Sequence, residues 1–554
     1  MKRILALILA VMMCAALFTA CGKDNSATSD TNAPAPNSGG GGGESGGGNG
    51  GGSAQQPPAP GQSGFKQISI GSTYNRYAGH FDPTSMLSDN YNCTMIMLCY
   101  DNMFYMAPDG SGYVSDIFAE ANYDPSAPKL SLTLRDDVYF SNGDQMTGED
   151  IAYTMWRLAQ IPRSFIMLGV FDIDNSYVEA DGMTYVIPFH KEFSPWAMYL
   201  SSVGVVNKSW VDANGGENFD WTDPNLVCGS GPYQPVEYKV DTYTVFDKRG
   251  DYWQQGRIDA AYYDRITVYA YSDTTTLMVD YENGVINMVL DLPYTDYNRI
   301  VAANGALGTA VKFSSNSVST LVMGIEFTPE LQDINLRKAI VYGTDTQTMA
   351  DLAFGTLGGP STGFLAQSLP QFVPGYTYQY DPELAKQIVD ENGLAGTTLK
   401  FVCDGGVNAK MAEVFQYNME QIGIVIDLEI YDEATCIQYW GAPGGTAFQF
   451  DGGVNANTDN DAFISYILLN GGTMFLPCML RGDPHWNELY DTGTRLSDPA
   501  ARKDVYAEMQ EIQYGRFSEL PICEWYLAYC YDDTVASAQI LNFILPDLRW
   551  IVPA

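Results

Sequence analysis

The chain is poor in the residues that catalysis and metal binding use most. It has three histidines, His80, His190 and His485, and no two stand at ligand spacing. A His-rich metal site or a Ser-His-Asp triad is therefore poorly supplied. No G-x-x-x-x-G-K-[ST] stretch occurs, so the chain does not hydrolyse ATP through a P-loop. Its ten cysteines include no C-x-x-C, which leaves zinc-ribbon and dithiol redox readings without support. Cationic residues are scarce as well. Twenty-nine Lys and Arg stand against 66 Asp and Glu, for a formal net charge of −37. That balance argues against nucleic acid as a partner and against docking on anionic lipid by charge. Beyond residue 18 no apolar run approaches the roughly 20 residues that span a bilayer.

What is present begins at the N-terminus. Lys2-Arg3 precede an apolar run over 4–18, and Thr19-Ala20-Cys21 follow. This is a charged n-region, a short h-region and small residues ahead of a cysteine. It resembles a bacterial lipoprotein signal over 1–20, which implies that Cys21 is lipidated and becomes the new N-terminus. The blander alternative is a secretory signal with Cys21 incidental. Either way the chain is expected to be exported, and with Cys21 lipidated it would be held at the outer face of the membrane by that anchor alone. Residues 22–64 hold no aromatic residue and no Leu, Ile, Val or Met. Such a segment cannot bury enough surface to fold, and 21–64 reads as a tether with a reach of roughly 35 Å. Eight cysteines remain after Cys14 and Cys21, scattered between Cys93 and Cys530. Most are expected to be buried thiols, packed as small apolar groups.

The body, 65–554, is long enough for about three domains. Strand patterns at 66–70, 185–189, 243–247 and 265–269 alternate with helical ones at 275–283, 333–344, 382–392 and 499–514. This alternation predicts an α/β fold. Residues 399–403, 410–422 and 424–431 read as a strand, helix, strand crossover. The densest local pattern is 134–155. Val138 and Phe140 alternate with polar neighbours, and Asn142-Gly143 supplies a tight turn. Thr147 is placed as a helix N-cap, followed by Glu149 and Asp150 at the positive end of the helix dipole. Ile151, Met155, Leu158 and Ala159 form one apolar helix face, and the helix is expected to stop at Ile161-Pro162.

These elements occur in an order that resembles the family 5 extracellular solute-binding proteins of ABC importers, the oligopeptide- and dipeptide-binding group. The motifs are Phe81-Asp82-Pro83, the 134–155 stretch, Gly229-Ser230-Gly231-Pro232-Tyr233, Asp251-Tyr252-Trp253, 333–345, 380–393 and Ile422-Gly423-Ile424. The resemblance covers nearly all of 65–554. It implies a two-lobed, type II periplasmic-binding-protein fold with an additional inserted domain. Lobe I would comprise 65–110, 225–315 and 525–554, the inserted domain 111–224, and lobe II 316–524. It further implies a monomeric receptor, not an enzyme, that captures a peptide-like ligand between its lobes. The receptor would deliver that solute to a membrane permease, whose ATPase is also a separate chain. No cofactor, metal or nucleic acid is implied.

By positional match the expected ligand-lining residues are Ser88, Asp89, Tyr91, Ser230, Tyr233, Trp440, Val454, Asn455, Asn457 and Asp459. Peptide-binding members carry an Asp in an Ala-Asp-Tyr-Asn sequence that meets the ligand ammonium. Here that position is Asn457, after Ala456. A neutral amide cannot form the charge-assisted bond of a carboxylate. A ligand with a free amino group would then rely on Asp459 or Asp89, and an oligosaccharide or other non-peptide solute is the alternative. Two tempting motifs carry little weight. Residues 455–461 alternate oxygen ligands, but an EF-hand loop needs Gly sixth and Glu twelfth, where Asn460 and Tyr466 stand. Residues 359–363 fit G-x-S-x-G around Ser361, a surface-hydrolase reading, but no helical pattern follows.

Overall fold

The computed structural model describes residues 64–73, 80–84, 92–107, 112–161, 169–201, 203–254, 261–454, 483–538 and 547–554. One 11-stranded sheet runs through the molecule. Its first half holds β1 (Gln67–Ser72), β6 (Tyr233–Lys239), β7 (Tyr243–Lys248), β8 (Arg265–Ala270) and β9 (Met288–Val289). Its second half holds β11 (Gly358–Pro360), β12 (Thr398–Asp404), β13 (Val425–Tyr431) and β14 (Phe448–Val454). Two long strands join the halves, β10 (Thr309–Met323) and β15 (Glu519–Tyr531). The order is β13-β12-β14-β10-β15-β9-β1-β8-β7-β6, with β11 pairing onto β15.

Each half closes over its own apolar core, as expected of two lobes. In lobe I, Ile68 and Ile70 of β1 pack with Leu98, Phe246, Ile266 and Met288. In lobe II, Leu399 and Phe401 of β12 pack with Phe415, Met419 and Phe448. β12 and β13 are parallel and joined by the helix Val407–Ile422, which is the crossover expected from sequence. A third core belongs to a separate four-stranded antiparallel sheet with order β2-β3-β5-β4. Its strands are β2 (Phe118–Asp124), β3 (Lys129–Leu134), β4 (Tyr177–Val178) and β5 (Thr184–Pro188).

The 134–155 signature serves this third core. The helix α1 (Gly148–Ala159) buries Ile151, Met155 and Leu158 against Leu132 and Tyr185. Ala159 is exposed, and Thr154 takes its place on the inner face. The Thr154 hydroxyl donates to Asp150 O and accepts from Val206 N, which makes a polar side chain acceptable there. Of the Asn142-Gly143 pair, only Gly143 has positive φ, at 88°. The N-cap is Thr147, as expected. The Asp150 carboxylate turns back to accept from Thr147 N and Oγ1, both at 2.8 Å, and from Lys208 N at 2.9 Å. One buried carboxylate thus caps α1 and anchors the start of the helix Lys208–Ala213.

Cys99, Cys228, Cys403, Cys436, Cys523 and Cys530 are all buried, and none of them forms a disulfide. Burial pushes the thiols of Cys403, Cys523 and Cys530 up to about 12. They pack as apolar groups, in line with the sequence expectation.

Candidate functional site

The β10–β15 ladder defines where the two lobes meet. It begins with Thr309 opposite Tyr531 in lobe I and ends with Val322 opposite Glu519 in lobe II. In lobe I, β1, β8 and β9 run parallel to one another, and β9 pairs antiparallel with β15 at Cys530 and Tyr531. Their carboxyl ends therefore point toward the middle of the ladder. In lobe II, β12, β13 and β14 run parallel, and β14 pairs antiparallel with β10 until Val454 meets Ser317. Their carboxyl ends point to the same place from the other side. Leu292, beyond β9, donates to Ala528 O, while Val454 lies level with Trp525 through Ser317. The two sets of strand ends are thus about three residues apart, roughly 10 Å along the ladder. Ligands of open α/β sheets bind outside the carboxyl ends of strands. Here two such ends face each other across one crevice.

The ladder is broken at that point. Ser314 pairs with Tyr526 and Ser317 with Trp525, so β10 carries two extra residues. A bulge of this kind bends the strand and relaxes the pairing.

Polar groups gather at the strand ends. Thr73, just past β1, donates from its backbone N to Asp291 Oδ2 at 2.9 Å, and its hydroxyl bonds the same oxygen. Asp291 Oδ1 is shielded from water and meets no donor at full hydrogen-bond geometry, though the Ser72 hydroxyl also acts on this carboxyl. Burial raises the Asp291 carboxyl from 3.8 to about 6, against the opposing effect of the Thr73 bonds. On β15, Glu524 is buried and accepts from Gln367 N at 3.2 Å, and burial raises its carboxyl as well. Trp525 stacks on Phe354 with centroids 5.5 Å apart, and the Lys312 ammonium lies 4.0 Å from the Tyr526 ring centroid. Asp291, Thr73 and Glu524 carry no motif. Their significance depends on pairings 218 and 157 positions apart, which local pattern cannot reveal.

The residues expected to line the ligand are distributed differently from the expectation. Val454 ends β14 at the crevice. Ser88, Asp89, Tyr91, Asn455, Asn457, Asp459 and the lipidation candidate Cys21 lie outside the described residues, as does the 455–461 oxygen run. Three candidates are buried among protein groups. Ser230 is fully buried, and its hydroxyl accepts from Asp101 N. Tyr233 is buried, with its hydroxyl donating to Tyr263 O. Trp440 packs with Val402 and Cys436, and its indole donates to Val402 O. Each has its polar atom committed to protein and its surface closed by neighbours. Ser361 likewise offers no nucleophile: its hydroxyl donates to Gly363 O at 2.5 Å, and a strand precedes it but no helix follows. Among the described residues no group of three or more His, Cys, Asp and Glu is arranged to hold a metal.

A separate contact joins the region of the third core to lobe II. After β5, Ser194 N donates to Thr494 O at 2.7 Å and Ser194 Oγ to Arg495 O at 2.8 Å. Lys191 pairs with Asp491 at 2.5 Å. Thr494 and Arg495 lie in the last turn of the lobe II helix α2 (Pro484–Arg495), whose terminal carbonyls lack intrahelical donors, and Asp491 immediately precedes that turn.

The family model for bacterial extracellular solute-binding proteins, family 5 Middle, matches residues 114–475. This chain belongs to that family. Its members are substrate-binding proteins rather than enzymes, and it is a solute-binding receptor of the ABC-importer type. The nickel-binding periplasmic protein of Escherichia coli is 25% identical over 364 residues, covering 60% of this chain and 66% of that protein. Glutathione-binding protein GsiB of Salmonella paratyphi A is 23% identical over 82% of this chain and 88% of its own length. The dipeptide-binding protein of Pseudoalteromonas sp. SM9913, solved with Met-Leu, superposes with a TM-score of 0.74 at 18% identity. That superposition covers 88% of this chain and all of the other. The expected two-lobed periplasmic-binding fold is thereby shown.

Proposed function

We propose that this family 5 receptor takes a peptide-like ligand with a free amino group, and that Asp291 receives the ligand's ammonium. The observation that carries this reading is Asp291 Oδ1, which meets no donor at full hydrogen-bond geometry, at the meeting of the strand ends. A buried carboxylate oxygen so poorly satisfied is costly, and an ammonium would supply both charge and hydrogen bonds. This offers the acid that the Asn457 substitution removes from the family's pattern. The names of relatives support a small peptide-like solute without fixing it: one binds glutathione and another was solved with Met-Leu.

The rest of the reading follows from sequence. Residues 1–20 are a lipoprotein signal, Cys21 the anchor and 21–64 a tether that holds a monomeric body off the membrane. The three separate cores support an inserted domain near 111–224, lobe I from 65–110, 225–315 and 525–554, and lobe II from 316–524. Ser88, Asp89, Tyr91, Val454, Asn455, Asn457 and Asp459 complete the crevice wall. A permease and an ATPase, on separate chains, receive the solute. No reaction is performed; the work is differential affinity between open and closed states.

Native mass spectrometry of gently purified protein should show a co-purifying solute of peptide mass. Calorimetry with short peptides should then give binding lost on N-acetylation. A co-purifying sugar or metal chelate, with no response to peptides, would move the assignment to the non-peptide solute that Asn457 alone suggests.

A further inference from the structure

The sequence holds seven Asn-Gly pairs, and five of them, at Asn142, Asn214, Asn283, Asn304 and Asn392, lie among the described residues. At Asn-Gly a chain can attack its own side chain, because glycine leaves the following backbone nitrogen unshielded and free to turn. The fold decides which pair can react, since the amide side chain and the glycine nitrogen must both be loose. Four pairs are held. Asn142 Nδ2 donates to Asp144 Oδ2 at 2.6 Å, its Oδ1 accepts from Asp144 N, and Gly143 N donates to Phe140 O. Asn214 Nδ2 donates to Trp210 O at 2.8 Å. Gly284 N, after Asn283, donates to Tyr281 O at 3.0 Å. Asn392 is clasped from both ends, with Nδ2 donating to Ile388 O and Oδ1 accepting from Asn335 Nδ2.

Asn304 differs. Asn304 and Gly305 are both exposed, and among the described residues no hydrogen bond holds the Asn304 side chain. Gly305 meets Gly308 in an isolated bridge, but the bond there runs from Gly308 N to Gly305 O at a long 3.3 Å, and Gly305 N meets no acceptor at full geometry. A Cβ at Gly305 would have nothing within 4 Å, so the tip of the turn has room to rotate. Its two residues stand at φ 47° and 90°, a left-handed pair that Asn and Gly adopt readily. The far side of the turn is fixed. The Tyr281 hydroxyl donates to Leu307 O at 3.0 Å, and a Cβ at Gly308 would stand 2.3 Å from Tyr531 O.

We propose that the fold singles out Asn304 as a site of spontaneous covalent modification, conversion to isoaspartate through a succinimide. Gly305 N attacks Asn304 Cγ, and the new C–N bond closes a five-membered ring. Nδ2 leaves as ammonia, taking up through solvent the proton that Gly305 N gives up. Water then opens the imide at either carbonyl, which yields aspartate or isoaspartate. No oxidant or cofactor is needed. Either product adds a negative charge, and isoaspartate also adds a carbon to the main chain, between the helix Tyr294–Ala302 and β10. The change falls beside Thr309 and Tyr531, the first rung of the ladder that joins the lobes.

Peptide mapping of the full folded chain, aged at mildly alkaline pH, tests this. Mass spectrometry reads the amide-to-acid conversion at each Asn-Gly peptide, and an isoaspartate methyltransferase labels the β-linked product. Conversion at Asn304 is expected to run at least tenfold faster than at Asn142, Asn214, Asn283 or Asn392. In the urea-unfolded chain the five should convert within about threefold of one another, because the fold alone separates them. Asn304→Gln, whose attack would need a six-membered ring, should lose the signal at that peptide and leave the other four unchanged. A lead of less than threefold for Asn304 in the folded chain would overturn the site. An equal tenfold lead in urea would overturn it too, by tracing the preference to neighbouring residues rather than to the turn.

Discussion

Asp291 is where a single side chain bears most on function. Its carboxyl is raised from 3.8 to about 6 by burial, so the folded protein holds this proton more tightly than the unfolded chain. The sign follows from linkage: this group's contribution to stability is most favourable below about pH 4, falls as pH rises through about 6, and is flat above. Asp291→Asn should therefore stabilise the ligand-free protein at pH 7, by at most about 3 kcal/mol, and not at pH 4. Thermal melts at the two pH values check this. The same variant should weaken peptides with a free amino group at least tenfold and leave N-acetylated peptides unchanged, which calorimetry reads directly. A gain in stability with unchanged affinity would mean that the ligand ammonium lies elsewhere. None of this was legible in sequence. Asp291 sits in an ordinary Leu-Asp-Leu-Pro context, and its meaning comes from Thr73, which the fold brings to it.

Elements were legible where their signals are local. The 134–155 stretch announces its own turn, cap and helix, because each rests on residues within four positions of one another. Asp150→Ala should cost about 3 kcal/mol, since it strands Thr147 N, Thr147 Oγ1 and Lys208 N in a largely buried setting. Chemical denaturation should show a lower midpoint, with the ligand affinity of the folded fraction intact. The joining strands were not legible, for the opposite reason. Thr309–Met323 shows no clean alternation, and its partner Glu519–Tyr531 lies about two hundred positions away. Positional resemblance likewise located the segments holding Ser230, Tyr233 and Trp440 but not their orientation, because the face a residue presents is set by packing. The bulge in β10 has its own consequence. Deleting Ser315 and Asn316 would remove the larger of the ladder's two register shifts, leaving the one between Ser319 and Thr320, and a more regular ladder resists bending. Small-angle scattering should then show no change in radius of gyration on adding ligand, where the parent contracts.

At the scale of the whole molecule, closure of the lobes should be biased by the contact between the third-core region and α2. The described state has Ser194 and Lys191 engaged with the C-terminal part of α2, so the third-core region already touches lobe II. Lys191 and Asp491 have side chains 43% and 57% exposed, and a pair so solvated is worth well under about 1 kcal/mol. The Ser194 bonds carry more, because they satisfy helix-end carbonyls that otherwise face water. Removing the charge alone should therefore do little, whereas reversing it should repel. Lys191→Glu is expected to weaken ligand about threefold at low salt and hardly at all at 0.5 M salt, where the Debye length falls to a few ångströms. Lys191→Ala should change affinity less than twofold at either. Closure contributes to affinity only through the fraction of molecules competent to bind, so a threefold loss corresponds to a threefold fall in that fraction when it is small. Scattering on the ligand-free variant should accordingly shift toward the open form by the same factor. An affinity loss that persisted at high salt would place the effect of Lys191 on the ligand itself rather than on closure.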